Sequence, residues 1–267
     1  MPFGFITGEG GSTPEELFRS IPPVSKVIIC SMVGTMLAST LGLVWPRTYF
    51  LVWSLVWNKF HIWRLFTCAI FPGMPSFPTL SLVVSMGMYS VRYEQDAFSM
   101  GGGGGSADYA FMLMFGFIVI ETIMLTLFYS EAMLLTPSLL FYISYVWSRK
   151  NPSMSVNIWG VVINAVYVPW AMVAINVLLG AGVFEPLLGI AVGHLFYFLV
   201  DILPDLHDVD LLKTPGFLVR LLGWGRPGSG VERVVPAANN TMRAPGVVRP
   251  PRDVPRVWGT GRTLGSS

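Results

Sequence analysis

The chain has 267 residues, of which 53% are hydrophobic and only 12% are charged, with a formal net charge of +2. A soluble globule of this size needs more polar side chains to cover its surface. The composition therefore excludes an ordinary soluble enzyme and predicts a membrane protein, and we expect no nucleic-acid partner.

Cysteine and histidine give no sign of a metal centre. Cys30 and Cys68 lie among apolar neighbours without a CxxC spacing, which argues against a disulfide framework. His61, His194 and His207 are far apart in the sequence, and no HExxH motif is present. We therefore expect neither a metal ion nor another cofactor.

Six apolar segments are predicted to cross the membrane as helices: residues 27–45, 77–91, 109–129, 132–147, 158–179 and 187–202. Three of them are long enough, at about 1.5 Å per residue, to cross a hydrocarbon core of about 30 Å. The other three would cover only about 22 to 24 Å, and short spans thin the bilayer or pack behind longer neighbours. The expected fold class is an all-α polytopic membrane protein.

The distribution of basic residues predicts the orientation. Six spans place both termini on the same side of the membrane. One face then carries fourteen of the seventeen basic residues, and the other carries only Arg47, Lys59 and Arg64. Because basic residues favour the cytosolic side, we expect cytosolic termini, with an N-terminal segment 1–26, a membrane domain 27–202 and a tail 203–267.

Two segments outside the spans are amphipathic or aromatic. Thr13 as N-cap and Glu16 three residues later predict a short helix before the first span. This helix would lie on the membrane surface or pack under the bundle. Residues 46–76 are too aromatic for a solvated loop, so we expect them in the membrane interface.

Trp63 and Arg64 lie within this interfacial loop. The pair places a cation beside an indole in a setting where an unpaired guanidinium is costly. An arginine that snorkels to the headgroups is the alternative. Glu121 lies inside a predicted span, where a carboxylate costs on the order of 2.5 kcal/mol or more unless it is paired, hydrated or protonated. It should face the bundle or a water-filled cavity.

The sixth span carries a pair of glycines. Gly189 and Gly193 form a small-xxx-small face, which predicts close packing against another helix. His194 follows this face directly and reads as a hydrogen-bonded or interfacial histidine rather than a metal ligand.

Eight short motifs follow one another along the chain: Leu17-Phe18-Arg19-Ser20-Ile21-Pro22-Pro23, Trp63-Arg64, Ala107-Asp108-Tyr109, Tyr145-Val146-Trp147-Ser148, Asn151-Pro152, Tyr167-Val168-Pro169-Trp170, Gly189-Ile190-Ala191-Val192-Gly193-His194 and Thr214-Pro215-Gly216-Phe217-Leu218. This ordered set resembles the Derlin family, the rhomboid-like pseudoproteases of the endoplasmic reticulum. The resemblance implies a six-span rhomboid-like helical bundle with an interfacial loop after the first span.

Rhomboid proteases use a serine in Gly-x-Ser-Gly on the fourth span and a histidine before a Gly-x-x-x-Gly on the sixth. By ungapped spacing, Thr136 lies near the serine position, and Pro186 stands where the histidine should be. A hydroxyl without a base to take its proton is a poor nucleophile. The resemblance therefore implies a pseudoprotease without catalytic residues.

The end of the tail carries a second motif. Trp258, Gly259, Gly261 and Leu264, within residues 258–265, are similar to the Derlin form of the SHP box. In that family the box docks the hexameric AAA unfoldase known as valosin-containing protein. Two apolar anchors and two glycines suit close approach to an acceptor surface. The Arg/Pro/Gly-rich residues 223–256 are expected to be a disordered cytosolic tether.

The resemblance implies a component of endoplasmic-reticulum-associated degradation that assists retrotranslocation of misfolded proteins to the cytosol. Its expected partners are the unfoldase, an endoplasmic-reticulum ubiquitin-ligase complex, misfolded clients and the lipid bilayer, with homo- or hetero-oligomers left open. The expected location is the endoplasmic reticulum membrane. An active intramembrane protease and a membrane adaptor without a translocation role are alternatives, and a solute transporter would usually show paired broken helices.

Overall fold

The computed structural model describes residues 14–100, 105–127, 132–158, 161–207 and 211–222. These residues form eleven α-helices and one two-stranded hairpin, joined by short 3-10 and π segments. Two features predicted above lie outside the described residues: Thr13 as a cap, and the tail from residue 223 onward with its terminal box.

Each predicted span contains one helix. The six helices are α2 (Pro23–Thr40), α5 (Phe77–Gln95), α6 (Ser106–Leu127), α7 (Thr136–Lys150), α8 (Val168–Leu178) and α9 (Phe184–Tyr197), which continues as a π turn to Ile202. Among the described residues, three helical stretches are long and apolar enough to cross a membrane: Pro23–Thr40, Ser106–Leu127 and Phe184–Ile202. The prediction of a polytopic helical membrane protein is confirmed, and the count of six spans stays a prediction.

The fifth predicted span differs from the structure at its start. Residues expected to be helical from 158 form a hairpin instead, in which β1 (Ser155–Ile158) pairs antiparallel with β2 (Val161–Asn164). Valine and isoleucine dominate these strands, and β-branched side chains favour a pleated backbone. The helix α8 begins only at Val168, after a 3-10 turn. Hydropathy alone could not distinguish a strand from a helix here, since an apolar segment is compatible with either.

The segment after α2 contains its own short helices, α3 (Trp53–Lys59) and α4 (Trp63–Ile70). Trp57, Phe60 and Phe66 expose more than half of their side chains. Exposed aromatic rings of this kind suit the interfacial position that the sequence predicts.

Helix α7 occupies the centre of the bundle, since nearly all of its residues are buried. Its most extensive packing is against α9, and α5, α6 and α8 also contact it. Helices α2 and α6 end, and α7 begins, at the same end of the bundle. We name this the loop end, because α4 of the interfacial loop packs there against α2 and α7. The opposite end, where α7 finishes, is the tail end.

A carboxylate holds two helices together at the tail end. Glu94, near the end of α5, accepts hydrogen bonds from the backbone N–H groups of Val24 and Ser25 at 3.0 and 2.7 Å and from the Ser25 hydroxyl at 2.6 Å. The first N–H groups of a helix have no partner within the helix. Glu94 therefore acts as a remote cap for α2.

The root of the tail is also fixed at this end. After α10 (Leu203–His207), the chain reaches α11 (Gly216–Leu222), which packs on α6. The backbone N–H of Thr214 donates to the Met100 carbonyl at 2.7 Å. Leu218 and Val219 are buried against the bundle. The tail therefore leaves the membrane domain from a docked segment.

Candidate functional site at the start of the central helix

Thr136, the residue near the rhomboid serine position, is the first residue of α7 and is fully buried. Its hydroxyl donates to the carbonyl of Phe71 at 2.7 Å and lies 3.3 Å from that of Cys68. The N–H of Leu135 donates to the same Cys68 carbonyl at 2.9 Å. These bonds join α7 to the end of α4, so the Thr136 hydroxyl is a structural donor.

Pro186 lies buried in the first turn of α9. Proline offers no side-chain group that could accept a proton, so this position cannot supply a general base. Its missing N–H is tolerated there, because the first N–H groups of a helix are unpaired in any case.

His194 lies toward the other end of α9 and is engaged there. Its Nδ1 is 2.8 Å from the Tyr145 hydroxyl, which accepts a hydrogen bond from Nε of Arg149 at 3.0 Å. Tyr145 therefore connects His194 to Arg149 through one hydroxyl. Residues 136 and 145 of α7 are separated by about 14 Å along the helix axis. The imidazole therefore lies beside Tyr145, about two and a half turns of α7 beyond Thr136.

The two glycines of α9 face α7. A Cβ atom on Gly189 would lie 2.2 Å from the Ser138 carbonyl oxygen, and one on Gly193 would lie 3.0 Å from the Tyr145 ring. Real Cβ atoms do not approach backbone oxygen this closely. The glycines therefore permit the close contact between α7 and α9, in line with the small-residue packing that the sequence suggests.

Arg64 clamps the interfacial loop. Its Nη1 donates to the carbonyls of Arg47 and Phe50 at 2.8 and 2.7 Å, and the side chain is buried. Burial lowers the pKa of this guanidinium. Trp63 is half exposed and stacks on His61 with a centroid distance of 4.4 Å. Arg64 therefore neither snorkels nor lies on the neighbouring indole, and its partners are two backbone carbonyls and, at 3.4 Å from its Nε, Nδ1 of His61.

Some contacts at the tail end of the bundle have no signal in the sequence. Glu94 is 70 and 69 positions away in the sequence from Val24 and Ser25, which it caps. Thr214 is 106 positions away from its partner Asp108. Local patterns such as helix periodicity do not report on such pairs. The sequence marks only that a carboxylate among apolar neighbours needs a partner.

The comparisons with known proteins show the family to which the sequence belongs. The sequence pattern of the Der1-like family matches residues 21–216. The chain is 33% identical over 237 residues to Derlin-1 of Arabidopsis thaliana, covering 88% of this chain and 87% of that protein. It is 36% identical over 216 residues to the probable derlin-2 homolog of Dictyostelium discoideum, covering 78% and 82% respectively.

A mammalian relative gives the same result. Derlin-1 of Homo sapiens is 36% identical over 226 residues, which cover 83% of this chain and 87% of the human protein. The family match includes the helices from α2 to α10 and the interfacial loop, and it ends at the first residue of α11. The chain therefore belongs to the Derlin, or Der1-like, family.

Proposed function

We propose that this chain is a non-catalytic, rhomboid-like component of endoplasmic-reticulum-associated degradation. It assists the return of misfolded proteins from the endoplasmic reticulum to the cytosol and recruits the AAA unfoldase valosin-containing protein through its tail. Membership of the Derlin family supports the role in degradation and a place in the endoplasmic reticulum membrane. The finer steps are argued below from the residues.

The separation of Thr136 from His194 carries the non-catalytic part of the proposal. A serine-type hydrolase needs a base within hydrogen-bond reach of its hydroxyl. The Thr136 hydroxyl instead donates to backbone carbonyls, and the His194 imidazole is hydrogen-bonded to the Tyr145 hydroxyl. If the chain were an active protease after all, it would cleave a model transmembrane substrate, and Thr136→Ala would abolish the cleavage. We expect no cleavage by either form.

Short helices support a role in moving polypeptide through the membrane. Helix α7 has 15 residues and α8 has 11, so they measure about 22 and 16 Å against a hydrocarbon core of about 30 Å. Helices shorter than the core thin the surrounding bilayer. A thinner bilayer shortens the apolar path that a client has to cross. The test is to measure the thickness of the bilayer around the protein in nanodiscs. A bilayer as thick next to the protein as in bulk lipid would contradict this mechanism.

The tail supplies the link to ATP hydrolysis. The anchors Trp258 and Leu264 and the glycines Gly259 and Gly261 are proposed to dock the unfoldase, because large apolar side chains dominate such contacts. Pull-down of valosin-containing protein should be lost with Trp258→Ala plus Leu264→Ala. The matched control is Thr260→Ala plus Thr263→Ala, which changes the same box without touching the anchors. Equal recovery with both double variants would remove the docking proposal.

Docking requires a cytosolic tail. Asn239 heads an Asn-Asn-Thr acceptor triplet within that tail, and N-glycosylation takes place on the opposite side of the membrane. We expect Asn239 to carry no sugar in cells. A glycosidase-sensitive mass shift that disappears with Asn239→Gln would place the tail in the lumen and end the proposal.

The remaining partners follow from the same role. A protein that delivers clients to an unfoldase needs them to be ubiquitinated, so we propose association with an endoplasmic-reticulum ubiquitin-ligase complex, and homo- or hetero-oligomers stay open. An adaptor without a translocation role is the second candidate. Client cross-links to bundle residues such as Ser138 would favour translocation, whereas cross-links confined to the tail would favour the adaptor.

A further inference from the structure

The loop end of the bundle holds a group of buried polar atoms without hydrogen-bond partners. Within the described residues, four buried side-chain atoms lack such a partner: Ser39 Oγ, Thr67 Oγ1, Glu121 Oε1 and Ser138 Oγ. They come from the end of α2, from α4, from the second half of α6 and from the start of α7. All four therefore lie at the same end of the bundle, and we name them the Glu121 cluster.

The four helices that carry the cluster pack against one another. Helix α4 contacts α2 and α7, and α6 also contacts α2 and α7, so the four elements close a ring. Phe66 of α4 stacks on Phe117 of α6 at 5.9 Å. Glu121 follows one helical turn after Phe117 on the same face of α6. Its side chain therefore points toward α4.

Two further observations link α4 and the start of α7 to this part of the bundle. Burial and, to a lesser degree, the Glu121 carboxylate raise the pKa of the Cys68 thiol, and Cys68 directly follows Thr67 in α4. The Cys68 carbonyl in turn accepts from Leu135, at the start of the helix that carries Ser138. Glu121 itself is only 9% exposed and Ser138 is fully buried.

The chemistry of the cluster calls for a donor. An ionised carboxylate only accepts hydrogen bonds, whereas hydroxyl groups both donate and accept. Neither of the two ion pairs among the described residues includes Glu121. Arg64, a buried cation at this end, is already bonded to backbone carbonyls. Buried polar atoms are usually partnered in native proteins, and each exception needs an explanation, such as a ligand that supplies the missing partner.

The composition of the cluster identifies the class of ligand. A divalent cation prefers several carboxylates or imidazoles, and no group of three His, Cys, Asp or Glu residues that could hold a metal lies within the described residues. An ammonium or guanidinium group carries three to five donors. One carboxylate and three hydroxyls match such a group.

We propose that the Glu121 cluster binds a basic side chain of a client polypeptide inside the bundle. The proposal rests on the proposed function, because it assumes that clients enter the membrane domain. Glu121 then makes the protein selective: it lowers the cost of moving a cationic side chain through the apolar region, a cost that is otherwise high. Neutral client segments gain nothing from it.

The test uses the full chain in cells that lack their own Derlins. Two misfolded clients differ at one position of the translocated segment, which is arginine in one and glutamine in the other. Arginine is used because lysine would add a ubiquitin acceptor. The chain carries either Glu121 or Glu121→Gln, which keeps the volume and removes the charge. Glu185→Gln is the matched control, since Glu185 lies at the same end of the bundle, in the first turn of α9.

We expect Glu121→Gln to lengthen the half-life of the arginine client at least threefold and to leave the glutamine client unchanged. Glu185→Gln should change neither client. Equal slowing of both clients, or no slowing of either while deletion of the chain slows both, would overturn the proposal and leave the proposed function standing. If deletion of the chain slows neither client, the proposed function itself fails, and this inference fails with it.

A second measurement reports binding directly. A photoreactive residue at position 67 should cross-link the arginine client more strongly than the glutamine client, and Glu121→Gln should remove this difference. The thermal unfolding of the purified variants shows whether they fold. Equal cross-linking of both clients to the folded natural chain would mean that the cluster holds only water, and would overturn the proposal.

Discussion

The hydroxyl of Thr214 donates a hydrogen bond to the carboxylate of Asp108, and this bond joins the root of the tail to the first turn of α6. Asp108 is fully buried and Thr214 nearly so. The positive end of the helix dipole also stabilises an acidic side chain at this position. The contact fixes the point from which the tail leaves the bundle, so a pull on the tail acts on α6.

Thr214→Val should therefore loosen the tail root. The valine keeps the shape and removes the donor, and a lost bond to a buried carboxylate costs about 1 to 3 kcal/mol. We expect faster proteolysis between residues 203 and 222 and unchanged recovery of the unfoldase by the tail. Thr214→Ser keeps the hydroxyl and is the control. If the valine and serine variants are cleaved at the same rate, the bond does not hold the root.

Removing the remote cap of α2 should destabilise the bundle. Glu94 accepts three donors, so Glu94→Ala leaves two N–H groups and a hydroxyl unpaired. We expect a loss of about 1 to 3 kcal/mol in the free energy of unfolding in micelles. Glu94→Gln keeps one acceptor and should lose less. Glu15→Gln is the control, because its ion pair with Arg19 is exposed. Equal effects of Glu94→Ala and Glu15→Gln would contradict the cap.

Much of this architecture is predictable from the sequence, for reasons that differ by element. The helices α2, α6 and α9 are visible because apolar residues fill their length, and the glycine pair of α9 because small residues permit close packing. The hairpin at residues 155–164 is not predictable from hydropathy, since β-branched apolar residues suit strand and helix core alike. The partners of Arg64 and Glu94 depend on chain segments brought together only by folding.

Filling the gap between α7 and α9 should be costly. Gly189→Ala places a methyl group against the Ser138 carbonyl, and overpacking of this kind costs about 1 to 3 kcal/mol. Gly193→Ala meets the Tyr145 ring at 3.0 Å and should cost less. Gly34→Ala in α2 is the control, because a Cβ there meets nothing within 4 Å. We expect the unfolding temperatures to fall in the order Gly34→Ala, Gly193→Ala, Gly189→Ala. A stable Gly189→Ala variant would refute the close packing.

Cys68 should resist alkylation over an unusual pH range. Burial, and to a lesser degree the nearby Glu121 carboxylate, raise the pKa of its thiol. A raised pKa keeps the thiol protonated as the pH increases, and the thiolate is the reactive form. In a Cys30→Ser background, labelling by iodoacetamide should stay slow from pH 7 to about pH 9 and become fast after denaturation, when the pKa returns to about 8.5. Labelling of the folded protein that rises steeply between pH 7 and 9 would contradict a buried, shifted thiol.

Replacement of Arg64 by glutamine, or even by lysine, should lower the stability of the protein. Its Nη1 bridges the carbonyls of Arg47 and Phe50, and lysine offers a single flexible ammonium instead of a planar fork. Arg64→Lys should therefore recover only part of the stability, whereas Arg64→Gln leaves both carbonyls without a charged donor, which costs about 1.5 to 3 kcal/mol. Thermal unfolding of the purified variants measures both effects, with Lys59→Gln as the control on an exposed cation of the same loop. If Arg64→Gln unfolds at the same temperature as Lys59→Gln, the bridge does not stabilise the loop, and the exposed aromatic segment would have to be held by its membrane contacts alone.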